Sequence, residues 1–493
     1  MSCSPEKPNQ NSIWLKNKKA LNHVLFTMRL RSLTPKNQTQ NGPLAINPQP
    51  TCKIQDFTLT NLVSDKTSLL SDVILLNILS RLPKSQRNSN FLVSKRWLNL
   101  QGRLMRSIKL LDWDFLISGR LFLRFPNLIH VDLVNGCLIS PQNSGVVCTQ
   151  KIVSFNVGSD IGGKDWFLDE RFVLNGDEID EGLRVLANGC PNLRKLAVVN
   201  TSEMGLLSLA EECPTLQELE LHMCDDQVLR GIAACQNLQI LRLIGIVEGF
   251  YSYSSFVSDV GLTILAQGCK RLVKLELSGC KGSYEGIKAI GQCCQMLEEL
   301  TLCDHRMEDG WLPALSYCEN LKTLRFLSCK RIDCNPGFDE HLGCCPTLDS
   351  LHLEKCQLRN KQNLRALFIV CQDVREIVLK NCWGLDDDLF STASICRRLK
   401  FLSLEGCSLL TTVGLESAII SWKELQSLKL ISCKNVKDSE ASPSLSSLFS
   451  VLKDLKWKSD TKSLLSSSLT GTGMASRGGK FFKKNDWKSL PGA

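Results

Sequence analysis

Hydrophobic positions recur in one frame through most of the chain. Cys213-Pro-Thr-Leu216-Gln-Glu-Leu219-Glu-Leu221-His-Met-Cys224 is one copy, and its spacing returns at Cys190…Leu193…Leu196…Val198, Cys235…Leu238…Leu241…Leu243 and Cys269…Leu272…Leu275…Leu277…Cys280. It continues through Cys294…Leu302, Cys318…Cys329, Cys345…Cys356, Cys371…Cys382 and Cys396…Cys407, and Trp422 takes the anchor place before Leu425, Leu428, Leu430 and Cys433. The anchors lie 22 to 34 residues apart, mostly 23 to 27. A fixed period of this size marks a stacked solenoid.

In each unit Leu-x-Leu predicts a short strand whose leucines point inward, because strand side chains alternate. Between strands the spacing turns helical, as in Asp259-Val-Gly-Leu262-Thr-Ile-Leu265-Ala266, where Leu262, Leu265 and Ala266 share one face. One unit cannot bury both faces alone, so stacked units bury a slab between a parallel sheet and a row of helices. The frame also fits Phe125…Leu128…Val131…Leu133 with Cys137, a degenerate unit at Ile152, Phe155 and Val157, and a last one at Phe449…Leu452…Leu455…Trp457. The expected architecture is an α/β horseshoe of about thirteen repeats over 106–458, with strands on the concave face and helices on the convex face.

The pattern differs before the solenoid. Leu75, Ile78, Leu79 and Leu82 follow Ser71-Asp72 at helical spacing, and Pro83 stops the run. A second short helix is expected over Asn90–Leu98, with Phe91, Leu92, Val93 and Trp97. Together these two helices carry more apolar surface than so short a piece can bury alone. Two insertions break the repeat period: Gly158–Asp177, with Trp166, Phe167 and Phe172, and Ile246–Asp259, with Phe250, Tyr251, Tyr253 and Phe256. Insertions of this kind map to one rim of a solenoid and often bind. Residues 1–64 read as a flexible basic arm and 459–493 as a disordered basic tail rich in Ser, Gly and Lys. Inside the arm, Ile13–Leu33 is basic and partly apolar. It is open to reading as a docked or solvated helix, a membrane-surface or calmodulin-binding helix, or a transit segment.

Charge sharpens this division. Residues 1–60 carry +6 and residues 471–493 carry +4 of the total +9, which leaves the body at −1. A nearly neutral body lacks the basic stripe of a nucleic-acid reader. No run of 18 apolar residues suggests a membrane span, and the N-terminus lacks the apolar core of a secretory signal. Of 24 cysteines, seventeen belong to the repeat frame, nine as anchors and eight at strand exits. Periodic burial accounts for them, so reduced thiols and a cytoplasmic or nuclear location are expected. Cys293-Cys294 and Cys344-Cys345 lack zinc-ligand spacing, and no metal or other cofactor is expected.

The six histidines form no ligand or nucleophile-and-base pattern, so the chain is expected not to be an enzyme. His222 and His352 fall on outward strand positions, where solvated histidines are expected. The solenoid offers a surface instead. Glu218, Glu220, Glu276 and Glu299 occupy outward strand positions and define an acidic sector. Lys429, Lys456 and Lys458 define a basic one near the end. With Tyr251 and Phe256 from the second insertion, the acidic sector is the candidate site for a target segment carrying Lys and Arg.

Leu70-Ser-Asp72-Val-Ile-Leu75-Leu-Asn-Ile78-Leu79-Ser-Arg-Leu82-Pro83, followed by Leu92-Val93-Ser94-Lys95-Arg96-Trp97, resembles an F-box, over about residues 65–105. Ser71 stands where the pattern usually has Pro, and Ser94 where it usually has Cys. The repeats after it resemble the cysteine-containing leucine-rich repeats of plant-type F-box proteins. The resemblance implies a substrate receptor of an SCF-type cullin-RING ubiquitin ligase. Leu70, Leu75, Ile78, Leu79, Leu82, Leu92, Val93 and Trp97 would dock a Skp-type adaptor, and the repeats would hold a target for degradation. A leucine-rich-repeat adaptor or scaffold without ubiquitin transfer is the alternative.

Overall fold

The computed structural model describes residues 66–138, 146–148, 173–245, 257–305 and 307–458. The basic arm, the tail, and Tyr251, Phe256 and the other insertion aromatics lie outside them. The chain parts into two compact units between Gln101 and Gly102.

The second unit is an α/β leucine-rich-repeat solenoid. Its strands are β1 (Ser107–Leu110), β2 (His130–Asp132), β3 (Val146–Cys148), β4 (Lys195–Val199), β5 (Glu218–His222), β6 (Ile240–Ile244) and β7 (Lys274–Ser278). They continue with β8 (Glu299–Cys303), β9 (Thr323–Leu327), β10 (Ser350–Glu354), β11 (Glu376–Lys380), β12 (Phe401–Glu405), β13 (Ser427–Ile431) and β14 (Asp454–Lys458). β1, β2 and β4 to β14 lie side by side in chain order, and each pairs in parallel with the next. β3 folds back antiparallel along the outer side of β1, where it covers what would be an open sheet edge. β2 pairs directly with β4. The degenerate unit expected at Ile152, Phe155 and Val157 lies outside the described residues. Ser107–Leu110, which has no anchor cysteine, supplies the first of the parallel strands.

The frame cysteines are free and nearly all fully buried. Several anchor thiols reach back one repeat: Cys213 Sγ donates to the Cys190 carbonyl at 3.4 Å, Cys345 to Cys318 at 3.5 Å and Cys396 to Cys371 at 3.6 Å. The exit thiols do the same from the far end of the strand, Cys329 to Leu302 at 3.3 Å and Cys382 to Leu353 at 3.3 Å. A thiol suits this place because it packs as a small apolar group yet offers a weak donor to a carbonyl that the sheet leaves over. Burial pushes the thiols of Cys235 and Cys294 up to about 12, so they stay protonated and unreactive. Cys269→Ala, which removes the 3.4 Å contact to the Ile232 carbonyl, is expected to cost ~1 kcal/mol in urea unfolding. Alkylation of the unfolded chain should find that thiol free.

Strand exits share a second device. Asn200, Met223, Ser328, Lys355, Asn381 and Ser432 all take the left-handed conformation, with φ between 52° and 57°. The turn lets each backbone N–H bond to the next strand's last carbonyl, as Ser328 does to Glu354 at 2.8 Å. That ladder bond offsets the ~1 kcal/mol left-handed penalty.

The helices are tied by a carboxylate ladder. Asp259 opens the helix Asp259–Gly268 and accepts from Ser283 N at 2.7 Å, Ser283 Oγ at 2.5 Å and Gly286 N at 3.0 Å, the start of the next repeat's helix. Asp226 does the same for Ser258 and Gly261. Asp180 holds Ser202, and Asp387 holds Thr411. A Cβ on Gly205, Gly261, Gly286 or Gly414 would overlap the carboxylate of Asp180, Asp226, Asp259 or Asp387. Glycine is therefore required where each aspartate crosses to its neighbour.

In the first unit, the helix Asp72–Arg81 begins at Ser71, whose hydroxyl accepts from Ile74 N at 3.4 Å, and ends before Leu82-Pro83. The expected helix over 90–98 is broken. Ser94 Oγ accepts from Trp97 N at 3.1 Å and starts a new helix, Lys95–Leu104, which leaves Leu92 and Val93 in the turn before it.

Candidate functional site

Arg96 fastens the first unit. Its guanidinium donates to Asp72 Oδ1 at 2.8 Å and to the carbonyls of Thr67 at 2.9 Å and Leu70 at 2.5 Å. Trp97 Nε1 donates to Thr67 Oγ1 at 3.3 Å. Among the described residues, six of the seventeen exposed large hydrophobic side chains fall in this short unit: Leu69, Val73, Ile74, Ile78, Leu92 and Val93. Such an excess over a few dozen residues marks an interaction face.

The structure corrects part of the expected docking set. Leu75 and Leu79 are buried within the structure, not presented on its surface. They sit on the inward stripe of their helix; Val73 lies opposite them, and Ile74 and Ile78 lie along its flank. Leu70, Leu82 and Trp97 are half-buried, and Trp97 is engaged with Thr67. Ile78, Leu92 and Val93 remain available. Val73, Ile74 and Leu69 join them; for Val73 and Ile74 the sequence signal is their place on the helical wheel away from Leu75 and Leu79, whereas Leu69 ends the short helical turn Lys66–Leu69 ahead of that helix.

The open face of the sheet also differs from expectation. The four glutamates do not make a free acidic sector, because the columns beside them alternate in sign. Register places Lys195 against Glu218, Arg242 between Glu220 and Glu276, and Lys274 against Glu299. Lys195 is ion-paired with Glu218. Arg242 reaches Glu220 at 3.4 Å and Glu276 at 3.0 Å. Glu299 takes Lys274 at 2.8 Å and Arg325 at 3.1 Å. Burial works to raise the Glu299 carboxyl, but Lys274 and Arg325 outweigh it and hold the group below its ordinary value. Burial dominates at Glu276, whose carboxyl is raised despite Arg242. His222, expected in solvent, is buried, with Nε2 at 2.9 Å from Glu220. At the far end Lys429 stands 3.9 Å from Glu405. Reading the lysines and arginines of the same columns would have shown the neutralisation from sequence.

Among the described residues, no group of three or more His, Cys, Asp or Glu is placed to hold a metal ion, and no helix is long and apolar enough to cross a membrane. No protein-family model matches the chain. It is 29% identical over 196 residues to GRR1-like protein 1 of Arabidopsis thaliana, a match that covers 36% of this chain and 32% of that protein's length. Solved structures similar to it include an internalin of Listeria monocytogenes, at 17% identity and a TM-score of 0.34, covering 56% of this chain and 71% of the internalin. A chain of the yeast Rad7 and Elc1 complex is similar at 12% identity and a TM-score of 0.32, covering 90% of this chain and 98% of the other.

Proposed function

We propose that this chain is a non-catalytic substrate receptor of an SCF-type cullin-RING ubiquitin ligase, acting in the cytoplasm, the nucleus or both. The helical unit docks a Skp-type adaptor and, through it, a cullin. The repeats hold a target protein for ubiquitin-dependent degradation. The observation that carries this reading is the exposed apolar face of residues 69–93 directly ahead of a leucine-rich-repeat solenoid. The similarity to GRR1-like protein 1 supports an F-box leucine-rich-repeat class.

The test is capture of a purified Skp-type adaptor. Ile78→Asp and Val93→Asp each remove an exposed anchor and are expected to weaken capture by ~2 kcal/mol, roughly thirtyfold, with little change in melting. Leu79→Asp would unfold the unit and says nothing about docking. Unchanged capture by both surface variants would leave the solenoid as a non-ligase scaffold.

A further inference from the structure

With the open face self-neutralised, the exposed apolar surface of the solenoid lies elsewhere. At the residue after the exit cysteine, the repeats carry Leu138, Asp225, Lys281, Lys330, Gln357, Ser408 and Lys434, and one carries an aromatic, Trp383. Trp383 is 60% exposed, and Leu409 in the next repeat is 50% exposed. Continuing the registers Leu327↔Glu354, Glu354↔Lys380, Lys380↔Glu405 and Glu405↔Ile431 by three residues sets Lys330, Gln357, Trp383, Ser408 and Lys434 in one row. The bridge between Gln357 and Trp383 confirms that alignment. Strand spacing then puts Lys330 and Lys434 ~10 Å to either side of the Trp383 backbone.

The tryptophan is fixed from behind. Trp383 N donates to the Cys356 carbonyl at 2.9 Å, and its own carbonyl accepts from Leu358 N at 2.7 Å. Gly384 is left-handed at φ 84°, and a Cβ there would overlap the Leu358 carbonyl and crowd Arg359 Cγ. The sequence thus spends a required glycine on holding a large aromatic side chain in water. Around it, Lys330, Arg359 and Lys434 are exposed and have no ion-pair partner among the described residues, unlike the paired bases of the open face.

We infer that the strand-exit rim around Trp383 and Leu409 is a docking surface for an acidic protein segment carrying an aromatic or aliphatic anchor. The anchor covers the tryptophan, and the acidic residues meet Lys330, Arg359 and Lys434. Only the naming of that segment as part of a degradation target rests on the receptor reading.

The probe is a short fluorescein-labelled acidic peptide with one central phenylalanine, read by polarisation against the full chain. Its counterparts have glycine at the centre, or lysines in place of the acids. The acidic peptide should bind best and lose affinity with salt. Trp383→Ala should weaken it by about tenfold or more, and Lys330→Glu with Lys434→Glu should abolish its salt dependence. Adaptor capture by the same variants should be unchanged, which separates this surface from the helical unit, and an unchanged urea-unfolding midpoint shows that the variant solenoids are folded. Equal binding by Trp383→Ala and the unaltered chain, no binding by the unaltered chain, or equal binding of the lysine peptide overturns the inference.

Discussion

Asp259→Ala is expected to destabilise the solenoid by about 3–5 kcal/mol. The carboxylate accepts two backbone N–H groups and a hydroxyl at the start of the next helix, Ser283 N, Ser283 Oγ and Gly286 N. Each of these bonds contributes roughly 1–1.5 kcal/mol net, and a negative charge at a helix start adds about 0.3–1 kcal/mol. Gly286→Ala attacks the same contact from the other side, because its Cβ would overlap Asp259 Oδ1. Alone it should cost about 1–3 kcal/mol by overpacking. The pair discriminates. Once the carboxylate is gone, the alanine methyl loses its tightest contact and only Leu262 Cδ1, at 2.9 Å, has to give way, so the double variant should cost at least ~1 kcal/mol less than the sum. Urea unfolding of the four proteins measures this. Strict additivity would mean that the aspartate and glycine do not act as one joint.

That joint shows where sequence reading succeeded and where it stopped. The inward leucines were legible because a strand repeats every two residues and a missed one leaves a hole; β4 to β14 all fall where Leu-x-Leu predicts. The ladder at Asp180, Asp226, Asp259 and Asp387 had its own signal. Ser202-x-x-Gly205, Ser258-x-x-Gly261, Ser283-x-x-Gly286 and Thr411-x-x-Gly414 recur at helix starts. The partner of each Gly lies a whole repeat upstream, though, and a carboxylate shared between repeats is invisible within one. The site was harder for a similar reason. The glutamates on outward positions can be counted within one repeat, but their neutralisation shows only when the lysines and arginines of the neighbouring repeats are read in the same columns. Leu79 and Ile78 are adjacent in sequence and equally apolar, yet one is buried and the other exposed. Only the packed helix decides which of them can meet a partner. The continuous run 90–98 predicts a helix through Leu92 and Val93, and the Ser94 cap that breaks it competes locally with that pattern.

Acid is expected to loosen the solenoid through His305 before its carboxylates titrate. The ring is buried, edge-on to Trp311 at 5.8 Å and beside Phe326 at 6.1 Å. Nδ1 accepts from Met307 N at 3.4 Å, so the neutral tautomer with its proton on Nε2 is the one held. Burial, with Arg331 adding repulsion, lowers the imidazole to about 4 from an ordinary 6.5, and Asp304 and Asp333 only partly oppose this. The folded protein therefore resists a proton that the unfolded chain accepts. Stability from this group is complete above about 6.5 and is lost as pH falls toward 4. The loss is about 2 kcal/mol by pH 5 and about 3 kcal/mol when the folded form finally protonates. His130 and His352 are lowered in the same direction, chiefly by burial, so the total slope has more than one source. His305→Phe keeps the aromatic packing and removes the titration. Urea unfolding of both proteins at pH 7 and pH 5 isolates the His305 share as the difference between their slopes. A variant that loses as much stability between those two pH values as the unaltered chain would show that His305 does not resist protonation in the folded state.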